Sequence, residues 1–237
     1  MAATGFERLN AEPVRETAVR LGERISARLP ERNLVRVSSE LVALIDDVSA
    51  GSREIRGRLR ISRLVSRALM VVVLVVATVA FGFAVADAVS EAEGRSSFDW
   101  LPLIETMIND LIFVALALFF LYSIPNRLER GHTLKLLHRL RSLAHIIDMH
   151  QLTKDPERLR DSFHPTSKTI DVNLGRNEME AYLNYCSELL SIVGKAAALC
   201  AEESQDSIVL DTVSRIETLT LGMSRKIWQK ISVLPAS

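Results

Sequence analysis

Two long apolar runs lie close together in the first half of the chain, and they constrain its fold more than any other feature. The first run covers residues 68–86 and contains no charged residue. The second run covers residues 111–124 and is extended towards the first by more polar turns. A helix of roughly 20 apolar residues is long enough to cross a bilayer core about 30 Å thick. The sequence therefore predicts a transmembrane helical hairpin, with spans at about residues 68–89 and 101–124 and a short external loop at 90–100.

Basic residues are concentrated before the first run and after the second, whereas the connecting loop is mainly acidic. Loops that stay in the cytoplasm carry an excess of Lys and Arg, so we expect both termini on the cytoplasmic side of a bacterial-type inner membrane. Arginine and aromatic side chains at the ends of spans are typical of the lipid interface. The residues predicted to lie at that interface are Arg60, Arg63, Arg67, Arg127, Arg130, Trp100 and Tyr122.

Outside the apolar runs, apolar residues recur at spacings of three and four, and strand signals are nearly missing. Gly51 is expected to end the second helix, and Pro125 to kink or end the helix that follows the second span. The short loop before the last helix favours an antiparallel pair. We therefore predict an all-α protein, a two-pass hairpin with a cytoplasmic helical bundle built from the last two helices, the helix after the second span and the N-terminal helices. The helices predicted outside the spans cover residues 12–29, 34–50, 127–152, 176–203 and 207–233.

On this interpretation the chain has three parts. Residues 1–63 form N-terminal cytoplasmic helices, residues 64–125 the transmembrane hairpin, and residues 126–237 a C-terminal cytoplasmic helical domain. Each of the last two helices has a single apolar face, so each needs a neighbour to be stable. Leu190 is predicted to face the core from the first of them, and Leu210 from the second.

The net charge argues against a nucleic-acid partner, and the spacing of the two cysteines argues against a disulfide between them. The formal net charge is zero, so we predict no nucleic-acid partner. Cys186 and Cys200 are fourteen residues apart on one predicted helix, about 21 Å along its axis. They are too far apart to form a disulfide with each other, and we expect them to pack as buried free thiols.

Polar residues near the outer ends of the two spans form the candidate site within the membrane. Asp110 comes directly before the second apolar run, Glu105 and Asn109 precede it on the same helix, and Asp87 lies near the end of the first span. A carboxylate inside an apolar span is costly unless it faces protein or water. One interpretation is a wet or hydrogen-bonded patch in the outer leaflet. The other is a ring of acidic groups at the mouth of a pore in an oligomer.

All five histidines lie between His132 and His164. His145 and Asp148 are three residues apart on one flank of a predicted helix, a spacing that allows both to contact one divalent metal. Two ligands from one helix are too few for a metal site, so further ligands would have to come from the following loop. The structural alternative is a polar flank with a buried hydrogen bond. We predict no cofactor and keep a divalent metal as the alternative.

The sequence contains no P-loop, GxSxG, HExxH or CxxC motif, which argues against an enzyme. We expect an inner-membrane protein that anchors a helical cytoplasmic domain for protein interaction and oligomerisation. Its expected partners are the lipid bilayer, copies of itself and a cytoplasmic protein. Two alternatives stay open. One is a small homo-oligomeric ion channel with an acidic mouth on the second span, and the other is a metal- or ligand-dependent membrane enzyme that uses the histidine cluster at 132–164.

Overall fold

The computed structural model describes residues 8–90, 100–160, 162–169, 173–202 and 204–234. Within these ranges it leaves out the side chains of residues 51–60, 63, 87–90, 100–103 and 126. The described residues form five α-helices and one short 3₁₀ helix, with no strand, so the all-α class is confirmed. The elements are α1 (Ala11–Arg28), α2 (Leu34–Ser90), α3 (Trp100–Leu152), the 3₁₀ helix (Pro156–Leu159), α4 (Arg176–Ala201) and α5 (Ser207–Ser232).

Side-chain caps explain where two of these helices begin. The Asn10 side chain accepts a hydrogen bond from the backbone N–H of Glu12 at the start of α1. The Asp206 carboxylate accepts from the N–H groups of Ile208 and Val209 at the start of α5. Each cap satisfies N–H groups that have no partner within the first turn of a helix.

The predicted helix end at Gly51 is wrong, because Gly51 lies inside α2, which continues to Ser90. Of the two alternatives at Pro125, a helix end is excluded, because Pro125 lies inside α3, which continues to Leu152. Glycine costs only about 1 kcal/mol relative to alanine in a helix interior, less than the neighbouring helix formers contribute. Proline removes one backbone donor, and the turns on either side keep their own hydrogen bonds.

The chain divides into two compact units. The first, called here the helical unit, combines Met1–Ser52 with His132–Ser237, and the second, called the apolar hairpin, contains Arg53–Gly131. The segments predicted on either side of the spans therefore pack together as one unit. That unit contains α1, the beginning of α2, the end of α3, α4 and α5.

One apolar core fills the helical unit. Ile25, Leu41, Leu137 and Leu190 are completely buried at its centre, as predicted for Leu190. α4 packs closely against α5, where a Cβ atom at Gly194 would lie 3.1 Å from the Thr220 hydroxyl oxygen. Cys186 and Cys200 are buried free thiols, which confirms the prediction for both. Burial raises the pKa of each thiol to about 12.

The prediction that Leu210 faces the core is wrong, because its side chain is 42% exposed. The neighbouring Val209 occupies the inward position instead and is buried. Successive helical residues point about 100° apart, so a one-residue change of register moves a side chain from core to surface. The buried face of α5 consists of Val209, Val213, Ile216, Thr220, Met223 and Ile227.

Ion pairs join the helices around the rim of this core. Their side chains are about 40–60% exposed, so each pair is worth no more than about 1 kcal/mol. They fix the register between neighbouring helices more than they stabilise the unit. The pairs are Arg15–Asp46, Arg24–Glu188, Arg139–Glu40 and Arg139–Asp47.

Candidate functional site

Two stretches of the described helices are long and apolar enough to cross a membrane, judged by length and composition. One is Leu64–Ala86 in α2, and the other begins at Ile104 in α3. None of the residues in the most apolar window of either stretch is buried inside the protein. The core helix of a water-soluble protein would be mostly buried, so these stretches are not core helices of that kind.

A cleft of about 580 Å³ lies within the apolar hairpin and is lined by residues of both helices. Three of the lining residues on α2 are alanines, whose small side chains leave room for the cleft. α2 contributes Leu74, Ala77, Thr78, Ala80, Phe81 and Ala84. α3 contributes Thr106, Met107, Asp110, Leu111, Phe113 and Val114.

Three polar side chains line this cleft, and one of them is charged. Asp110 is the single charged residue among the twelve lining residues, and it lies midway along the α3 segment that forms the wall. Thr78 donates its hydroxyl hydrogen to the carbonyl of Leu74 at 2.7 Å, so its oxygen can still accept a hydrogen bond. Thr106 supplies the second hydroxyl. The cleft therefore offers apolar walls with one negative charge and two hydroxyl groups.

The other members of the predicted polar patch do not line the cleft. Glu105 and Asn109 are exposed on α3, and they are not among the lining residues. The side chain of Asp87 lies outside the described residues. Sequence reasoning identified Asp110 but missed Thr78, because the register between the two helices cannot be read from either helix separately.

The residues predicted at a lipid interface are described in part. The side chains of Arg67, Tyr122 and Arg127 are exposed, and that of Arg130 is half-buried. The side chains of Arg60, Arg63 and Trp100 lie outside the described residues. A role at the interface stays a prediction for all seven.

The structure places His145 and Asp148 apart from any larger group of ligands. His145 is exposed, so the buried hydrogen bond predicted for it is wrong. Asp148 accepts a hydrogen bond from the Gln151 amide at 2.7 Å. Within the described part of the chain, no three His, Cys, Asp or Glu side chains come close enough to hold a metal ion. The described residues therefore lend no support to the metal alternative.

A partly buried polar contact that the sequence analysis missed connects α5 to the end of α3 and the turn that follows it. The Lys230 ammonium group donates to the carbonyl of Gln151 at 3.0 Å and to that of Lys154 at 3.4 Å. Burial lowers the pKa of Lys230, and the nearby carboxylates of Asp155 and Asp148 act in the opposite direction. No local pattern could have indicated this contact, since its partners are more than 70 residues apart in the sequence.

The surface of the helical unit carries one further feature. In the described part of this unit, large apolar side chains are exposed near the end of α3, on α5 and at Val233. Leu210, Leu221 and Trp228 are 42%, 54% and 59% exposed. Their spacings of eleven and seven residues place them on one face of α5, and they are called the α5 stripe below. Those spacings are visible in the sequence, but they do not show whether this face of α5 is buried or exposed.

In comparisons with known proteins, no family model, no curated protein and no solved structure matches this chain. Two surfaces of the described residues are candidate sites. One is the cleft around Asp110 in the apolar hairpin, and the other is the α5 stripe on the helical unit.

Proposed function

We propose that this protein spans a bacterial-type inner membrane twice and anchors a cytoplasmic helical unit that associates with copies of itself. The observation that supports it is the placement of exposed apolar side chains. They occupy both helices of the hairpin, and among the described residues of the helical unit they are confined to α5, its following turn and the end of α3. Large exposed apolar patches on a stable protein mark contact with lipid or with another protein.

Lipid is the better occupant for the hairpin surface. Phe83 and Leu111 are among many large apolar side chains that are mostly exposed there, over a length that suits a bilayer core. A helix satisfies its own backbone hydrogen bonds, so it needs no water in that environment. The basic segments that flank the two apolar stretches favour cytoplasmic termini.

A reporter fusion tests this orientation. A reporter that is active only in the cytoplasm should work when it is fused after Ser237 and should be silent within residues 91–97. Activity in the loop and silence at Ser237 would overturn the orientation. Recovery of the full-length chain in the soluble fraction without detergent would overturn the membrane assignment itself.

The α5 stripe suits protein contact. Leu210 and Trp228 are eighteen residues apart, which extends the stripe over about 27 Å of helix. Leucine and tryptophan at helical spacing are typical of helix–helix interfaces, where tryptophan often contributes most of the binding free energy.

The charges of α5 favour a second copy as the partner. Its first half carries Asp211 and Glu217, and Arg215 pairs with Asp211 at 2.8 Å within the helix. Its second half carries the exposed side chains of Arg225 and Lys226 and no carboxylate, while Lys230 is turned towards the helical unit. Two α5 helices packed antiparallel would place the acidic half of each beside the basic half of the other, with Leu210 opposite Trp228.

Substitutions in the stripe test self-association. Leu221→Glu and Trp228→Glu should each reduce the mass of the purified full-length protein towards that of a monomer, measured by light scattering with the detergent contribution subtracted. The control is Ile208→Glu, because Ile208 is 48% exposed on α5 and lies about 160° around the helix from Leu210. An unchanged mass in both stripe variants, or the same loss in the control, would overturn the proposal.

A further inference from the structure

We infer that the hairpin cleft binds a lipophilic cation, a molecule with a positively charged centre and apolar substituents. The inference rests on the membrane assignment of the proposed function and goes beyond it, because self-association through α5 does not use the cleft. It rests on the volume of the cleft, the character of its walls and the position of Asp110.

The volume and the walls suit a small organic ligand. About 580 Å³ lies within the range of about 300–1,000 Å³ typical of ligand pockets, which are lined mainly by apolar side chains with a few polar groups. Phe81 and Phe113 line the cleft from the two helices. Aromatic rings offer a cation an attractive face in addition to apolar contact.

The charge of the occupant follows from Asp110. The apolar run at residues 111–124 follows Asp110 and extends over about 21 Å of helix, which places the carboxylate at the outer end of that run, several ångströms inside a bilayer core about 30 Å thick. An ionised carboxylate in such surroundings is costly unless an opposite charge or water compensates it. Among the lining residues there is no cationic side chain. A positively charged ligand would supply the missing charge, whereas a neutral or anionic one would not.

The lining residues favour an organic cation over a metal ion. Calcium takes six to eight oxygen ligands, and magnesium requires near-octahedral oxygen geometry. The cleft offers one carboxylate and the hydroxyl groups of Thr78 and Thr106. A large, weakly hydrated cation needs a single counter-charge and apolar contact, and the cleft supplies both.

Binding of tetraphenylphosphonium to the purified full-length protein in nanodiscs tests this inference. Isothermal titration should show saturable binding with one cation per chain, and Asp110→Asn should weaken that binding at least tenfold. Glu105→Gln is the matched control, because Glu105 is, like Asp110, an exposed carboxylate on α3, but it does not line the cleft. Neutral triphenylphosphine oxide should show no saturable binding.

A second variant separates loss of charge from loss of the fold. Ala80→Phe keeps Asp110 but fills the cleft, and it should also weaken binding at least tenfold while circular dichroism and yield stay unchanged. No saturable binding to the wild-type protein would overturn the inference. So would full affinity in either Asp110→Asn or Ala80→Phe, or an equal loss in Glu105→Gln, since that loss would indicate general attraction to surface charge.

Discussion

The helical unit and the apolar hairpin are both built from helices, yet they place their apolar side chains in opposite ways. Leu137 and Ile216 are buried in the core of the helical unit, whereas Val72 and Leu111 of the hairpin are more than half exposed. Both arrangements satisfy the backbone, because a helix forms its hydrogen bonds internally. The difference therefore lies in what surrounds the side chains: neighbouring helices in one unit and, we propose, lipid in the other.

The largest expected effect tests whether the helical unit has a water-free core. Leu190→Asp should lower its free energy of unfolding by about 4 kcal/mol or more, because it buries a carboxylate with no partner. Urea unfolding followed by circular dichroism measures the change. Ser191→Asp is the control, since Ser191 is the next residue on α4 and is exposed. Equal stability of the two variants would contradict a packed core at Leu190.

The same substitution in the hairpin should act on insertion instead of folding. Val75 lies at the middle of Leu64–Ala86 and is 56% exposed. Val75→Asp should raise the apparent free energy of membrane insertion by about 3 kcal/mol, as for a carboxylate at the centre of a span. An insertion assay on the isolated segment measures it, with Val75→Leu as control. If insertion is unaffected, or if unfolding of the helical unit shifts as for Leu190→Asp, the contrast between the two units fails.

An intermediate effect concerns the two buried thiols. Burial raises the pKa of Cys186 and of Cys200 to about 12, whereas an unfolded cysteine titrates near its ordinary value. Each thiol is buried in its neutral form, so its contribution to the free energy of unfolding is complete below the ordinary pKa. That contribution is lost as the pH rises towards 12, because the unfolded chain gives up the thiol proton first. At one pH unit above the unfolded pKa, each thiol should account for a loss of about 1.4 kcal/mol.

Urea midpoints measured between pH 8 and pH 10 test this loss. A Cys186→Ala, Cys200→Ala protein should show a shallower decline than the wild-type protein. Other groups titrate in the same range and in both directions, since burial lowers the pKa of Lys154 and Lys230 and raises that of Tyr182. The difference between the two slopes isolates the thiols, and identical slopes would show that the thiols reach water in the folded state.

The smallest expected effect is at the rim of the helical unit. Arg139 contacts Glu40 at 3.2 Å and Asp47 at 2.6 Å, and its side chain is 48% exposed. Arg139→Ala should cost about 0.5 kcal/mol, and the cost should shrink as salt is added. Arg141→Ala, an exposed change on the same helix, is the comparison. A loss above about 2 kcal/mol at high salt would mean that the pair belongs to the core and not to the rim.

Local patterns were sufficient for much of this fold. The spacing of apolar residues predicts α1, α4 and α5 within a few residues of their ends, since one buried face repeats with the helical period. The predicted break at Gly51 is wrong because a local preference of about 1 kcal/mol is smaller than the sum of its neighbours' preferences. The grouping of both ends of the chain into one unit agrees with the predicted bundle, which follows from helices that each have one apolar face and need a neighbour, whereas the particular helix pairs depend on long-range contacts that no local pattern contains.

In the candidate sites, too, local sequence patterns predict some residues and the others depend on tertiary contacts. Asp110 stands out in the sequence because it is a charge beside an apolar run. Its neighbours across the cleft, such as Thr78 and Phe81, depend on how two helices are aligned, which is a tertiary property. The α5 stripe was missed for another reason: Leu210 fits a core pattern and a surface pattern equally well, and only the burial of Val209 separates them.

The contact of Lys230 with the carbonyls of Gln151 and Lys154 has a mechanical consequence. If a force pulls on the C-terminal end of α5, this contact is loaded before the buried residues of the earlier turns, because it lies two residues from the end of the helix. It couples a positive charge to carbonyls at the end of α3, an attraction that falls off over a short distance. Under force, the hydrogen bonds of Lys230 should therefore break first and abruptly. The rest of α5 should then separate from α4 turn by turn.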